Sequence, residues 1–322
     1  MIMNQPEFIY GYYFNDNSKK EDILSLDTLD VTRPYWLHFD YTLEQTKEWL
    51  MQDSKLNPVV INALLNDETR PRATTLNEGV LMALRGVNLA PNSDPEDMVS
   101  IRIWFTKDKI ISTRSRRLLS AKDIAVDFDN GNGPKTPSQF ITLLTDNLIT
   151  RMSDTIYEIE ENVSDIEDNI LTSSSYSLRN ELSDLRRQII SLRRYLSPQR
   201  EAMAQLLSDK VTLFSPEEKI QLRETTDILT RYVEDLDSIK DRAIVCQEEL
   251  NNTLNEQMNN RMFVLSVVAA IFLPLGFLTG LLGINIGGIP GADNKDAFAI
   301  FIFILIVVVA GQVWLFKKKK WF

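Results

Sequence analysis

Two uncharged runs near the carboxyl end organise the whole chain: residues 262–282 read MFVLSVVAAIFLPLGFLTGLL, and residues 297–316 read AFAIFIFILIVVVAGQVWLF. Each run is close to the length of about 20 residues that a helix needs to cross roughly 30 Å of hydrocarbon. The runs therefore predict a hairpin of two transmembrane helices, joined by a short loop over residues 283–296.

The charges that flank the two runs predict the orientation of the hairpin. Arg261 precedes the first run, and a basic tail over residues 317–322 follows the second. Because positive residues are enriched next to the cytoplasmic ends of transmembrane helices, we expect both termini in the cytoplasm and a periplasmic loop. The first residues, MIMNQPEFIYGYYF, do not resemble a signal peptide. These features predict a multi-pass membrane protein.

The part of the chain before the hairpin is strongly acidic. Residues 262–322 hold five Lys and two Asp of the 35 basic and 45 acidic residues, which leaves residues 1–261 with a net charge of −13. Such a charge repels nucleic acid and attracts cations. A surface that is acidic only for solubility explains the charge equally well, so charge alone leaves both interpretations open.

The chain has one cysteine and one histidine, Cys246 and His38. This pair excludes a disulfide framework and Cys/His zinc motifs, and it leaves no nucleophile with a plausible base. His38 lies in an alternating strand pattern and Cys246 in a long helical pattern, so we interpret both as packing residues. There is also no phosphate loop or dinucleotide fingerprint. The sequence thus predicts no enzyme, no tightly bound cofactor and no site that holds a metal tightly through protein ligands.

Residues 1–134 predict an α+β domain in which helices flank a mixed β-sheet. The residues between Thr42 and Leu65 fit helices that are broken near Asn57-Pro58, and the loop over residues 129–134 closes the domain. Aromatic and β-branched runs predict strands over residues 8–14, 35–40, 80–89, 98–106 and 109–113.

Residues 135–261 predict a helical stalk. Thr136-Pro137 places a hydroxyl cap before a proline at the first helical position, and apolar residues then recur every three or four positions as far as Ile170. A second helix is predicted over residues 176–207. The stalk continues beyond it into the first apolar run.

The last stalk helix is predicted to enter the membrane without a break. Ser215-Pro216 repeats the cap pattern, and no Gly or Pro follows before Pro274. A helix from Ser215 to Leu282 is too long for a small domain to bury, so it is expected to pack against other stalks. Because two membrane helices cannot enclose a pore, an ion pathway would need several copies around one axis.

The loop after the first run contains Gly283-Ile284-Asn285. Glycine permits close approach of backbones, and a ring of Asn285 amide oxygens is suited to meet a hydrated cation without trapping it. Gly-Asn is also an ordinary turn signal. On these residues alone both readings remain open.

The sequence resembles the CorA superfamily of divalent-cation transporters. Leu282-Gly283-Ile284-Asn285 after Phe272-Leu273-Pro274-Leu275 resembles the Gly-X-Asn signature of that family, and the terminal Lys-Lys-Lys-Lys-Trp-Phe is similar to its ending. Isoleucine between Gly and Asn resembles the zinc branch of the family, ZntB. So do three segments of the first domain, residues 68–72, 85–88 and 94–100.

This resemblance implies a homopentamer of the bacterial inner (plasma) membrane with a cytoplasmic funnel, in which the first span lines the pore and the second faces lipid. Members that carry magnesium have a threonine in place of Gly276 and a Met-Pro-Glu segment that this loop lacks. The pore mouth would be Gly283, Ile284 and Asn285. By position, the pore-lining residues would be Asn259, Met262, Leu265, Ala269, Leu273 and Gly276. Helical spacing independently puts the last five of these on one face.

Acidic residues follow the same face back along the stalk. We expect the funnel acids to be Glu256, Glu249, Asp241, Asp235 and Asp227, which would concentrate divalent cations. A solvated outer face is the alternative, because the phase of a face drifts over so long a helix.

The predicted function is transmembrane transport of zinc and of other divalent cations through a pentameric pore. The cation is the transported substrate, and partners are other copies of the chain and membrane lipid, without nucleic acid. The membrane potential favours import, and the resemblance leaves coupling to protons open, although neither span contains an ionisable residue. A magnesium or cobalt channel is one alternative. A membrane-anchored scaffold or sensor is an alternative of another class.

Overall fold

The computed structural model describes residues 8–15, 21–67, 69–77, 79–172, 176–283 and 294–319. The chain forms two compact units, Met1–Glu248 and Glu249–Phe322. Each unit is described by itself below. Ile284 and Asn285 of the predicted pore mouth lie outside the described residues.

The first unit contains a six-stranded mixed sheet in the order β1-β2-β6-β5-β4-β3. Strands β2 and β6 are parallel, and the other neighbouring strands are antiparallel. The strands are β1 (Phe8–Tyr13), β2 (Tyr35–Asp40), β3 (Arg72–Leu76), β4 (Gly79–Gly86), β5 (Val99–Thr106) and β6 (Lys109–Arg114). The predicted mixed sheet is confirmed. Strand β3, which was not predicted, is an edge strand with mostly exposed or half-buried side chains.

Helices cover both faces of this sheet. Helices α1 (Glu44–Gln52) and α2 (Pro58–Leu65) bury Leu50 and Leu64 against the face that carries Leu37. Asn57 caps α2, because its side chain accepts a hydrogen bond from the Val59 amide at 2.9 Å. This cap and the following proline produce the predicted break between the helices.

The opposite face is covered by α3 (Leu119–Asp129) and α4 (Pro137–Thr150). Trp36 of β2 packs against Phe140 of α4 with ring centroids 4.5 Å apart. Phe128 of α3 stacks on Tyr12 at 4.6 Å. Helix α3 was not predicted. A short 3-10 helix also covers Leu26–Thr28.

Two further helices, α5 (Ser153–Thr172) and α6 (Tyr176–Leu206), pack together with the first part of α7 (Pro216–Leu282). Sequence spacing predicted one helix from residue 137 to 170, but the structure breaks it at Arg151-Met152. Arg151 forms an ion pair with Asp123 there, and Met152 is buried. The apolar spacing continues across the break in phase, which explains why the sequence did not reveal it. The buried positions in α5 and α6 recur every three or four residues: Ile156, Ile159, Val163, Ile166 and Ile170, then Leu178, Leu182, Leu185, Ile189, Leu192 and Leu196.

The side-chain amide of Gln199 joins α6 to strand β4. Gln199 accepts a hydrogen bond from the backbone N–H of Arg85 at 2.7 Å and donates one to the carbonyl of the same residue at 3.0 Å. Strand β3 ends its pairing with β4 at Arg72 and Ala83, so Gln199 pairs with β4 two residues beyond the last pair, where a longer neighbouring strand would do so.

The second unit contains the remainder of α7 and helix α8 (Ala297–Lys318). Both helices are long and apolar enough to cross a membrane. Among the described residues the helix α7 is continuous from 216 to 282, as the absence of Gly and Pro before Pro274 predicted.

Candidate functional site

The apolar part of α7 has one face packed against α8 and one face open. Val267 is only 8% exposed, and Ala270, Ile271, Pro274 and Leu278 are half-buried. These positions are spaced by three and four residues, so they lie on one side of a helix that turns by about 100° per residue. The amide of Gln312 in α8 reaches this side and donates a hydrogen bond to the Ala270 carbonyl at 3.1 Å.

The residues predicted to line a pore lie on the other side of the same helix. Met262, Leu265 and Leu273 are 61%, 69% and 77% exposed. Asn259 and Ala269 are also exposed. The structure thus brings the predicted residues of α7 together on one face that no part of the second unit covers among the described residues. That this face lines a pore stays a prediction.

Gly276, another member of the predicted set, is exposed as well. A Cβ placed on Gly276 or on Gly280 would meet nothing within 4 Å among the described residues. Contact between α7 and α8 therefore does not require glycine at either position.

Gly283 has a different environment at the end of α7. Its N–H donates to the Thr279 carbonyl at 2.9 Å, and a Cβ placed on it would lie 2.7 Å from the same oxygen. Such a contact is far too short, so a side chain here would force the end of the helix to shift. This is a structural reason for the first glycine of Gly-Ile-Asn.

Thr279 is a polar side chain in the first apolar run, and its hydroxyl is hydrogen-bonded within its own helix. Its hydroxyl donates to carbonyls of its own helix, those of Leu275 at 2.9 Å and Gly276 at 3.1 Å.

Among the described residues, no group of three or more His, Cys, Asp or Glu side chains is arranged to hold a metal ion.

Two of the predicted funnel acids, Asp227 and Asp235, lie exposed on α7 in the first unit and make no ion pair in the part of the chain that the structure describes. Asp241 is also exposed and lies 3.2 Å from Lys240 Nζ. Glu249 and Glu256 are exposed in the second unit. That these side chains face a lumen stays a prediction.

Other acids of this region are neutralised by arginines across the helices, which the sequence did not predict. Arg242 of α7 donates to both carboxylate oxygens of Glu167 in α5, at 2.6 and 3.0 Å, and to Ser164 Oγ at 2.8 Å. These hydrogen bonds lower the pKa of Glu167. Arg193 of α6 likewise lies 2.5 Å from Asp237 and lowers its pKa.

The single histidine and the single cysteine are both buried in the first unit, as packing residues would be. His38 Nδ1 lies 2.8 Å from Ser112 Oγ, and burial lowers the pKa of His38 to about 3. Cys246 Sγ lies 3.6 Å from a Glu167 oxygen, and burial together with that carboxylate raises the pKa of Cys246 to about 11. Both side chains are buried, and the thiol is protonated near neutral pH, so neither is accessible as a metal ligand or nucleophile.

Comparison with known proteins identifies the family. Residues 32–318 match the family described as CorA-like Mg2+ transporter protein. The chain belongs to the CorA-like family. Its members are transporters of divalent cations, so the prediction that the chain is not an enzyme is confirmed by this membership.

Individual relatives of this CorA-like chain cover almost its whole length. The zinc transport protein ZntB of Pectobacterium carotovorum is 35% identical over 313 residues, which are 97% of this chain and 95% of the relative. The divalent cation transporter CmaX of Pseudomonas aeruginosa is 36% identical in an alignment that covers 97% of this chain and 96% of the relative. The predicted resemblance to the CorA superfamily is therefore confirmed.

Solved structures agree on the fold. The structure of full-length CmaX matches with a TM-score of 0.86 and 34% identity, covering 99% of both chains. The CorA magnesium transporter from Methanocaldococcus jannaschii matches with a TM-score of 0.79 over 98% of this chain and 99% of that chain, at only 13% identity. The order of a mixed sheet domain, a long helix and an apolar final helix is thus that of CorA-like proteins.

Proposed function

We propose that this chain is a homopentameric transporter of zinc and other divalent cations, with the open face of α7 lining a central pore. The observation that carries the proposal is the placement of Met262, Leu265, Ala269 and Leu273 on the side of α7 that faces away from α8. A helix with one apolar face against its hairpin partner and the other uncovered is suited to line a pore around a symmetry axis.

The proposal keeps the domain division predicted from the sequence. Residues 1–134 form the cytoplasmic α/β domain and residues 135–261 the stalk or funnel. Residues 262–282 form the pore-lining span, and residues 283–296 the periplasmic loop with the mouth residues Gly283, Ile284 and Asn285. The second span (residues 297–316) faces lipid, and the basic tail (residues 317–322) returns to the cytoplasm of a bacterium.

Zinc is favoured as substrate because relatives at 33–35% identity over 97% of the chain are named zinc transport proteins. No thiol or imidazole lies on the open face, so the ion passes with part of its water shell and touches amide and carbonyl oxygens. A membrane potential that is negative inside favours entry of a divalent cation by about 4–5 kcal/mol per 100 mV, which supports import.

A magnesium or cobalt channel is the second candidate, because the family description names magnesium. Flux into liposomes that contain the purified protein separates the candidates when zinc and magnesium are compared with and without a pH gradient. We expect zinc uptake that exceeds magnesium uptake and increases with inward proton flow. Magnesium flux that is indifferent to pH would favour the second candidate, and no flux of either ion would favour a scaffold or sensor.

The mouth residue Asn285 provides the variant for this experiment. Replacing Asn285 by Ala removes the amide oxygens that are proposed to meet the hydrated ion, so we expect flux to be abolished while oligomer assembly, measured by light scattering, is unchanged. Full flux through Asn285→Ala would contradict the assignment of the mouth.

A further inference from the structure

A glutamine lies on the face of α8 that packs against α7. Its neighbours one turn away on that face, Val308 and Phe316, are apolar. Gln312 Nε2 donates a hydrogen bond to the Ala270 carbonyl at 3.1 Å. Polar side chains inside apolar spans are costly unless they find partners, so the position of Gln312 calls for a physical reason.

The reason lies in the carbonyl that Gln312 binds. In an α-helix the carbonyl of residue 270 accepts its hydrogen bond from the N–H of residue 274. Residue 274 is a proline inside α7, and proline has no N–H. The Ala270 carbonyl is therefore left without a partner in its own helix, in a region where water does not replace it.

The chemistry of the contact fixes the orientation of the amide. A carbonyl oxygen can only accept, so the atom that approaches Ala270 has to be the amide nitrogen of Gln312. The other amide atom, Oε1, is buried and makes no hydrogen bond with the described residues. The bond that Gln312 donates is thus the polar interaction that accounts for its presence.

This bond holds the turn of α7 that carries two predicted pore residues. Ala269 directly precedes the bonded carbonyl, and Leu273 directly precedes Pro274. We propose that Gln312 is a positioning residue of the ion pathway. It replaces the hydrogen bond that Pro274 removes, and it ties this turn of the pore helix to α8. The inference rests on the proposed function in one respect, namely that Ala269 and Leu273 line the pore.

A double-mutant cycle on the full-length protein tests this inference. Gln312→Met keeps nearly the same volume and removes the donor, whereas Pro274→Ala restores the N–H that bonds Ala270 within the helix. With Pro274 present, we expect Gln312→Met to lower zinc flux per assembled protein by roughly three- to tenfold and to lower the apparent melting temperature by about 2–8 °C. In the Pro274→Ala background the same change is expected to lower flux less than about twofold.

Thr279→Val is the matched control, because the Thr279 hydroxyl bonds carbonyls of its own helix rather than α8. Its effect should be equal in both backgrounds. An equal effect of Gln312→Met in both backgrounds would overturn the inference, and so would a coupled loss of thermal stability with unchanged flux. If the parent protein carries no cation at all, the proposed function fails, while the melting temperatures still report whether Gln312 and Pro274 are coupled.

Discussion

At the scale of single residues, the environment of His38 determines its protonation state. His38 is fully buried beside Ser112, with its ring stacked on Tyr10 at a centroid distance of 5.6 Å. Arg114, which lies close enough to lower the pKa of His38 further, adds to the effect of burial. The folded protein therefore holds this imidazole in its neutral form, while the unfolded chain protonates it near pH 6.5.

Acid is predicted to destabilise the first unit through His38. Because the folded pKa is lowered to about 3, the stability is fully present above pH 6.5 and is lost as the pH falls toward 3. Between pH 6.5 and 5 the expected loss is about 2 kcal/mol, at about 1.4 kcal/mol per pH unit. Unfolding of the full-length protein, followed at several pH values, checks this. In His38→Gln the stability should vary less over that range, and parallel profiles of the two proteins would contradict the prediction.

Gly276 permits a paired test of the pore face. A side chain added at Gly276 or at Gly311 of α8 meets nothing within 4 Å among the described residues. Gly276→Thr is expected to lower zinc flux at least severalfold, because it adds a ring of hydroxyls and methyls to the proposed pore. Gly311→Thr, the same change on the span proposed to face lipid, should leave flux nearly unchanged. Equal effects of the two variants on flux would argue against the assignment of the open face.

At the scale of helices, charge pairs join α5 and α6 to α7 in the first unit. The fork of the Arg242 guanidinium matches both oxygens of the Glu167 carboxylate, a geometry that makes charge-assisted bonds specific. Both side chains remain about one-third exposed, so solvent screens part of their attraction. Such a pair contributes to the register of α5 on α7 and adds a modest amount of stability.

Removing this arginine is expected to cost about 1 kcal/mol of unfolding free energy in Arg242→Met, after allowance for screening. Arg231→Met is the matched control, because Arg231 is exposed on the same helix. Thermal unfolding at low and at 1 M salt measures both variants. The difference between them should shrink at high salt, and a difference that salt does not change would point to lost packing instead.

The sequence predicted the elements whose pattern is local. The long uninterrupted α7 followed from the lack of Gly and Pro, and the helical period placed residues 262, 265, 269, 273 and 276 on one face of it. Strand β3 was missed because an exposed edge strand has no apolar alternation to reveal it. The bond from Gln312 to Ala270 joins residues 42 positions apart, and the pair Arg242–Glu167 joins residues 75 apart. Only the folded chain brings such residues together.

At the scale of the whole molecule, the net negative charge of the chain affects which ions it attracts. Its net charge is −10, and the five predicted funnel acids lie exposed on one helix. Exposed carboxylates on a surface that surrounds a passage raise the local concentration of cations and repel anions. The effect decreases as salt shortens the Debye length, which is about 10 Å at 0.1 M salt.

Neutralising these acids together tests the funnel. We expect the variant in which Asp227, Asp235, Asp241, Glu249 and Glu256 become the corresponding amides to lose most of its preference for cations over chloride at low salt. The matched control neutralises five exposed acids of α5 and α6 and changes the net charge equally: Glu158, Glu161, Asp165, Glu181 and Glu201. Reversal potentials of both variants in bilayers provide the measurement. Unchanged selectivity in the first variant would show that its acids only solvate an outer face.

The amide of Gln199 continues the pairing of β4 beyond the end of β3. This contact also affects how readily the newly made chain aggregates. Where β3 stops, the backbone of Arg85 would otherwise present an unpaired donor and acceptor at the rim of the sheet. Such groups can recruit a strand from another molecule and begin aggregation. Since Gln199 occupies both of them, α6 closes this part of the rim within the same chain.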